Sequence, residues 1–235
     1  MFHSCKYVVV SVCLIVFVSL FCIHEIKTVT TVGTTPQLKR QIIIDPGHGG
    51  EDGGAEGLYQ AVEKNINLDI SLELADLFRA SGFEVILTRD HDVSIYDDSA
   101  KSLRQKKRSD LKKRLEIAND NPQAIFISVH QNKFEQSQYS GAQIFYGEKN
   151  ASSKLLAESL QQAFVANLQP ENTRQVKPIT SSVYLIQNAK PVAVLAECGF
   201  LSNPEESKKL LDSTYQKQVA FTLYSGILRF YEASV

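Results

Sequence analysis

Four residues have the types and settings for hydrolytic chemistry: His48, Glu63, His130 and Glu197. In the segment IIIDPGHGG at 42–50, three β-branched residues run into Asp45, Pro46 and Gly47 and then His48. That pattern reads as a buried strand delivering an imidazole at its carboxyl end, where open α/β sheets place their ligand crevices. The segment AIFISVH at 124–130 does the same with His130. Two such strands form a metal-site pattern. Catalytic zinc takes three protein ligands, commonly three His or two His and one carboxylate, and leaves a position open for water. Glu63, which begins EKNINLDISLELADLFRASGF, is the candidate carboxylate. Its alternative is an ordinary helix-start residue at the positive end of the helix dipole.

Glu197 emerges from the apolar run PVAVLA into Cys198 and Gly199. A carboxylate there is costly to bury without a partner or a task, so a salt bridge and a general base are both open. His91, in the polar HDVSIYDD, reads as an exposed loop residue, and Cys198 as a small buried hydrophobe. Asp45 is either a carboxylate that orients a metal-bound imidazole or a turn residue before Pro46.

The elements that must position these residues follow from periodicity. Strands are expected near 41–45, 83–88, 124–129, 142–146, 182–186 and 192–196, with helices near 63–80, 101–119, 151–167 and 214–231. Ile66, Ile70, Leu74 and Leu77 recur at helical spacing behind Glu63. This alternation predicts an α/β fold, a three-layer domain with a mostly parallel central sheet and helices on both faces.

The blocks DPGHGG, EKNINL, SVHQN and ECGFLSNPEE, in that order, resemble the zinc-dependent N-acetylmuramoyl-L-alanine amidases of the amidase type 3 family. The resemblance covers about Gln41 to Tyr231, and in size and layout it is nearest to the branch acting on spore cortex peptidoglycan. It implies one catalytic zinc held by His48, Glu63 and His130, with Glu197 as the catalytic glutamate. It also implies peptidoglycan glycan strands with stem peptides as substrate, and a separate activator or a later-acting deacetylase as partners. Asn132, in SVHQN, is expected to contact substrate or to cap its loop. The chain departs from the family pattern at Gln131, where a small residue is more usual. Alternatives within the reading are a vegetative wall autolysin, a zinc carboxypeptidase of the stem peptide and a catalytically silent wall-binding or regulatory domain; HExxH is absent, and the full ligand set argues against the last.

Residues 1–27, with the uncharged apolar run Tyr7 to Ile23, are expected to be a signal or a membrane anchor. Residues 28–40 are a linker, with a Thr-rich tether from Thr28 to Pro36, and 41–235 are the catalytic domain. The protein is therefore expected to be exported, to the outer face of the cytoplasmic membrane or to the wall or cortex space. Cys5, Cys13 and Cys22 lie in or beside the apolar run, which leaves Cys198 alone in the domain and excludes a disulfide there. A net charge of −1 gives no case for nucleic acid as a partner. The basic stretch LRQKKRSDLKKR at 103–114 reads as a solvated helix face, with attraction to anionic wall or membrane polymers as its alternative.

Overall fold

The computed structural model describes residues 40–180 and 183–233. The expected signal or anchor and the Thr-rich tether lie outside these residues. Among the described residues, no helix is long and apolar enough to cross a membrane.

The elements run β1 (Gln41–Pro46), α1 (Glu63–Ala80), β2 (Glu84–Leu87), α2 (Leu103–Asn119), β3 (Ile125–Asn132), β4 (Gln143–Tyr146), α3 (Ser152–Asn167), β5 (Lys177–Pro178), α4 (Tyr184–Asn188), β6 (Val192–Phe200), α5 (Pro204–Leu210) and α6 (Ser213–Ala233). The six strands form one sheet in the order β2-β1-β3-β6-β4-β5. All neighbours are parallel except β6 and β4. Strand residues alternate between two apolar layers, as a period of two requires. Ile42, Ile44, Ile127 and Val194 pack with Ile70 and Leu74 of α1, Leu160 of α3 and Leu223 of α6. Ile43, Phe126 and Leu195 pack on the other face with Leu115 of α2 and Ile186 of α4. The mostly parallel, three-layer α/β architecture expected from the sequence is the one found.

One element differs. The run read as a strand at 182–186 is helical from Tyr184 to Asn188, and the sheet's edge is instead the two-residue β5, parallel to β4. A short apolar run cannot by itself separate strand from buried helix. Here Leu185 and Ile186 are both buried in the second apolar layer, which one helical turn achieves and alternating strand geometry would not.

The sequence between β1 and α1 needs donors. The chain leaves the sheet after Pro46, and the carbonyls of Pro46, Gly47 and His48 point inward, where an unpaired acceptor is costly. Two buried arginines meet them. Arg114 donates to Pro46 O and His48 O at 2.8 Å each, and Arg89 donates to Pro46 O and Gly47 O at 3.0 Å each. Arg114 is itself neutralised by Asp45 at 2.7 Å and Asp110 at 2.6 Å. Asp45 also accepts from Ser128 Oγ and Thr88 Oγ1, both at 2.6 Å. Burial opposes ionisation of Asp45, but the Arg114 charge and these donors outweigh it and hold the carboxyl below its usual range. Asp45 is thus neither a turn residue nor a partner of the imidazoles; it sits in β1 and balances Arg114.

Breaking a buried pair by removing one partner leaves an uncompensated charge, so Arg114→Leu is predicted to destabilise the domain by ~3–5 kcal/mol in urea unfolding. Because Asp45's folded pKa is depressed, its contribution is complete above the ordinary carboxylate range and is lost as pH falls through the depressed value, below 3.8. Stability of the wild type should therefore drop in acid more steeply than that of the variant, and parallel acid profiles would refute this account of Asp45.

Candidate active site

His48 and His130 arrive from β1 and β3, neighbours in the sheet, and Glu197 arrives from β6, where it is the register partner of His130. The fourth residue, Glu63, is the first of α1. The chain reaches His48 through a left-handed backbone conformation, φ +63°. Gly47 packs against the His130 ring so closely that a Cβ would overlap it. At Gly54, φ is +70° and a Cβ would lie 2.5 Å from Glu63 Oε2 and 2.7 Å from the His48 ring, so only glycine fits.

The Glu63 carboxylate joins the two imidazoles. Its Oε1 lies 2.9 Å from His130 Nδ1 and accepts from Gln131 N at 3.2 Å. Its Oε2 lies 3.2 Å from His48 Nε2 and accepts from Ala55 N at 2.7 Å. Asn67 Nδ2 adds a bond to Oε1 at 3.4 Å and one to Gly47 O at 3.2 Å. The ligand atoms of His48, Glu63 and His130 lie within 4.8 Å of one another. Two imidazoles and a carboxylate from three different elements, so close together, fit a divalent metal in type and spacing.

A partner orients His48 from behind, but it is Asp52 rather than Asp45. Asp52 Oδ2 lies 3.0 Å from His48 Nδ1, the arrangement in which a carboxylate fixes the tautomer of a metal-binding imidazole. Burial would lower the His48 pKa, but Asp52 and Glu63 outweigh it and lift it to about 9. Burial likewise opposes ionisation of Glu63, yet the two imidazoles hold its carboxyl far below the usual range.

Glu197 is different. Its Oε2 is buried and has no hydrogen-bond partner among the described residues. Burial raises its pKa and Glu63 adds repulsion, against the opposing pull of His130 and His48, and the result is about 7. A cavity of about 290 Å³ brings Glu197, His48 and His130 together with Asp52, Leu111 and Tyr184 on its wall.

Asn132, Gln131, His91 and Cys198 fall outside this cavity. Asn132 closes β3, its carbonyl accepting from Leu201 N at 2.8 Å, and does not line the cavity. Gln131 is buried beneath Glu63 and donates to Asn67 Oδ1 at 3.2 Å, a supporting contact rather than a substrate contact. His91 is exposed and pairs with Asp90 at 2.6 Å. Cys198 is a free, buried thiol whose pKa is pushed up by burial, which suits packing and not nucleophilic attack.

The family model described as N-acetylmuramoyl-L-alanine amidase matches residues 42–229. The chain belongs to this amidase family. It is 37% identical to the germination-specific N-acetylmuramoyl-L-alanine amidase of Bacillus subtilis over 81% of this chain and 79% of that protein. It is 31% identical to the amidase LytC of the same organism over 83% of this chain, spanning about a third (36%) of that longer protein. Among solved structures, the CwlD amidase of Clostridioides difficile, in complex with the GerS lipoprotein, superposes with a TM-score of 0.79 at 42% identity, covering 83% of this chain and 99% of that one. The protein is accordingly an N-acetylmuramoyl-L-alanine amidase, a hydrolase of peptidoglycan.

Asp52 is the part of this amidase site that sequence reasoning does not reach, four residues after His48 in a turn between Gly50 and Gly53. Its removal should cost metal affinity without removing a ligand. Asp52→Ala is predicted to weaken zinc binding about 10- to 100-fold in competition with a chromogenic chelator. Unchanged affinity would mean that Asp52 serves only its ion pair with Lys107, 3.3 Å away.

Proposed function

We propose that this amidase is a zinc enzyme that cleaves the amide between the lactyl group of muramic acid and L-alanine in spore cortex peptidoglycan. The observation that carries the chemistry is the convergence of His48, Glu63 and His130, with ligand atoms within 4.8 Å of one another, beside a cavity lined by both imidazoles and by the unpartnered carboxylate of Glu197. The cortex assignment rests on similarity to the germination-specific amidase. His48, Glu63 and His130 would hold the ion. Bound zinc supplies a Lewis acid that polarises the carbonyl and brings the pKa of water to roughly 7.

The chain's own residues do the rest. Glu197 takes a proton from the attacking water as its oxygen bonds to the lactyl carbonyl carbon. It returns that proton to the alanine nitrogen as the carbon–nitrogen bond breaks, leaving a free lactyl carboxylate and a peptide with a new amino terminus. Burial without a partner suits this exchange, because a proton affinity near neutrality allows both acceptance and return. Gly47 and Gly54 keep the imidazoles and Glu63 in close packing, and the Ala55 and Gln131 amides keep the Glu63 carboxylate aimed.

The muramic acid bared by this reaction is the substrate a later deacetylase would need to form the muramic lactam. We also propose export, with the apolar N-terminal segment as signal or anchor, and a partner protein outside the cytoplasm. The complex of the C. difficile amidase with a lipoprotein supports that expectation.

Glu197→Gln is predicted to retain one zinc per chain and the wild-type fold while losing about 100- to 10,000-fold in peptide release, followed by mass analysis of digested cortex muropeptides. Near-normal turnover in that variant would overturn the role given to Glu197. Full activity after complete zinc removal would overturn the metal chemistry.

A further inference from the structure

The basic run on α2 does not have one role. Arg114 is buried in the ion pair with Asp45, and Lys106, Lys107 and Lys112 are answered by Glu51, Asp52 and Glu116 at 2.8, 3.3 and 3.6 Å. Arg104 and Arg108 have no acidic partner among the described residues. Arg104, Lys107, Arg108, Leu111 and Lys112 follow the i, i+3, i+4, i+7, i+8 spacing of one helix face. Beside that face lies a groove of about 710 Å³, floored by Leu103, Leu111 and Tyr184 and edged by Arg104, Lys107, Arg108 and Lys112. Leu103 is 74% exposed and Tyr184 45%, an unusual degree of solvent contact for large apolar side chains beside a cluster of cations. The groove shares Lys107, Leu111 and Tyr184 with the wall of the catalytic cavity.

We propose that this groove seats the stem peptide during hydrolysis, with Arg104 and Arg108 binding its carboxylates. The inference rests on the amidase reading of the adjoining cavity. The bond to be cut lies in that cavity, so a peptide starting at its alanine must leave along the wall, and this wall continues into the groove. A stem peptide carries free carboxylates at its glutamyl residue and its C-terminus, between short apolar stretches. That is the complement of an apolar floor with two uncompensated guanidiniums, whose planar donor fork matches a carboxylate in bidentate fashion. Lys107, held by Asp52 at the junction of cavity and groove, links peptide binding to the residue behind His48.

The test compares the zinc-loaded full chain with its Arg104→Glu/Arg108→Glu and Arg104→Lys/Arg108→Lys variants. Substrates are soluble muropeptides with free stem carboxylates and the same muropeptides with those carboxylates amidated. Charge reversal is expected to raise KM about tenfold for the free acids and less than about twofold for the amidated forms. The loss falls on KM rather than kcat, as removal of uniform binding requires. Added salt should shrink the difference, and the lysine pair should recover most of the affinity. Equal losses on both substrates, or none on either, would overturn the proposal. So would a loss seen only with intact walls, which would point to an anionic wall polymer. If the wild type released no peptide from muramic acid, the amidase reading itself would fall. The groove would then be judged by NMR titration of the free acidic tetrapeptide into the full chain: binding weakened by charge reversal supports it, and no binding overturns it.

Discussion

The buried ion pair between Asp45 and Arg114 is the interaction on which the rest of the site depends. The segment Pro46–Gly47–His48 has to leave the sheet at a depth where water cannot satisfy its carbonyls. A proline cannot donate and a glycine has no side chain, so the donors must come from elsewhere in the chain. Arg114 and Arg89 provide them, and both guanidiniums are buried. A guanidinium at that depth requires a counter-charge, which Asp45 supplies from within β1 itself. Loss of Asp45 would therefore unsettle Arg114, then the carbonyls it holds, and then the left-handed turn that aims His48. The His48 imidazole is placed by electrostatics one layer below it.

Asp45 and Glu197 show how the same functional group takes opposite states on one sheet. Both are carboxylates on strands that run through the core. Asp45 has a guanidinium and two hydroxyls, so ionisation wins despite burial. Glu197 has no partner, so burial raises it toward neutrality. The first state gives a fixed charge suited to structure; the second gives a carboxyl able to exchange a proton at physiological pH. Glu63 lies between them, buried but held ionised by two imidazoles and two backbone amides, the state a metal ligand needs.

Much of this could be read in the sequence because the relevant signals were local. An apolar run that ends in Pro-Gly-His, or in Val-His, announces a strand end and what it presents. The helical spacing of Ile66, Ile70 and Leu74 announces the helix that Glu63 begins. The missed features depend on tertiary context. Arg114 sits in a basic run where its neighbours look alike, although its place between Leu111 and Ala118 on the buried stripe of α2 marked it as different. Asp52 was hidden in a glycine-rich turn whose shape no periodicity describes. The helix at 184–188 was read as a strand because a four-residue apolar run is compatible with either, and only the layer it packs against decides. Asp45 reads from sequence as an orienting carboxylate for an imidazole or as a turn residue and is neither, since its partner lies 69 residues away on α2.

The arrangement also separates what holds the fold from what holds the site. A cluster of like charges would repel itself. Here the donors are of opposite character. Asp52 and Glu63 lift the pKa of His48, and the two imidazoles hold Glu63 below the usual carboxylate range, so the cluster is held by attraction between its own side chains. The two apolar layers, not the cluster, carry the fold. Asp52 also ties the cluster outward through Lys107, 3.3 Å away on the groove of α2, so the placement of His48 and the edge of that groove share one carboxylate.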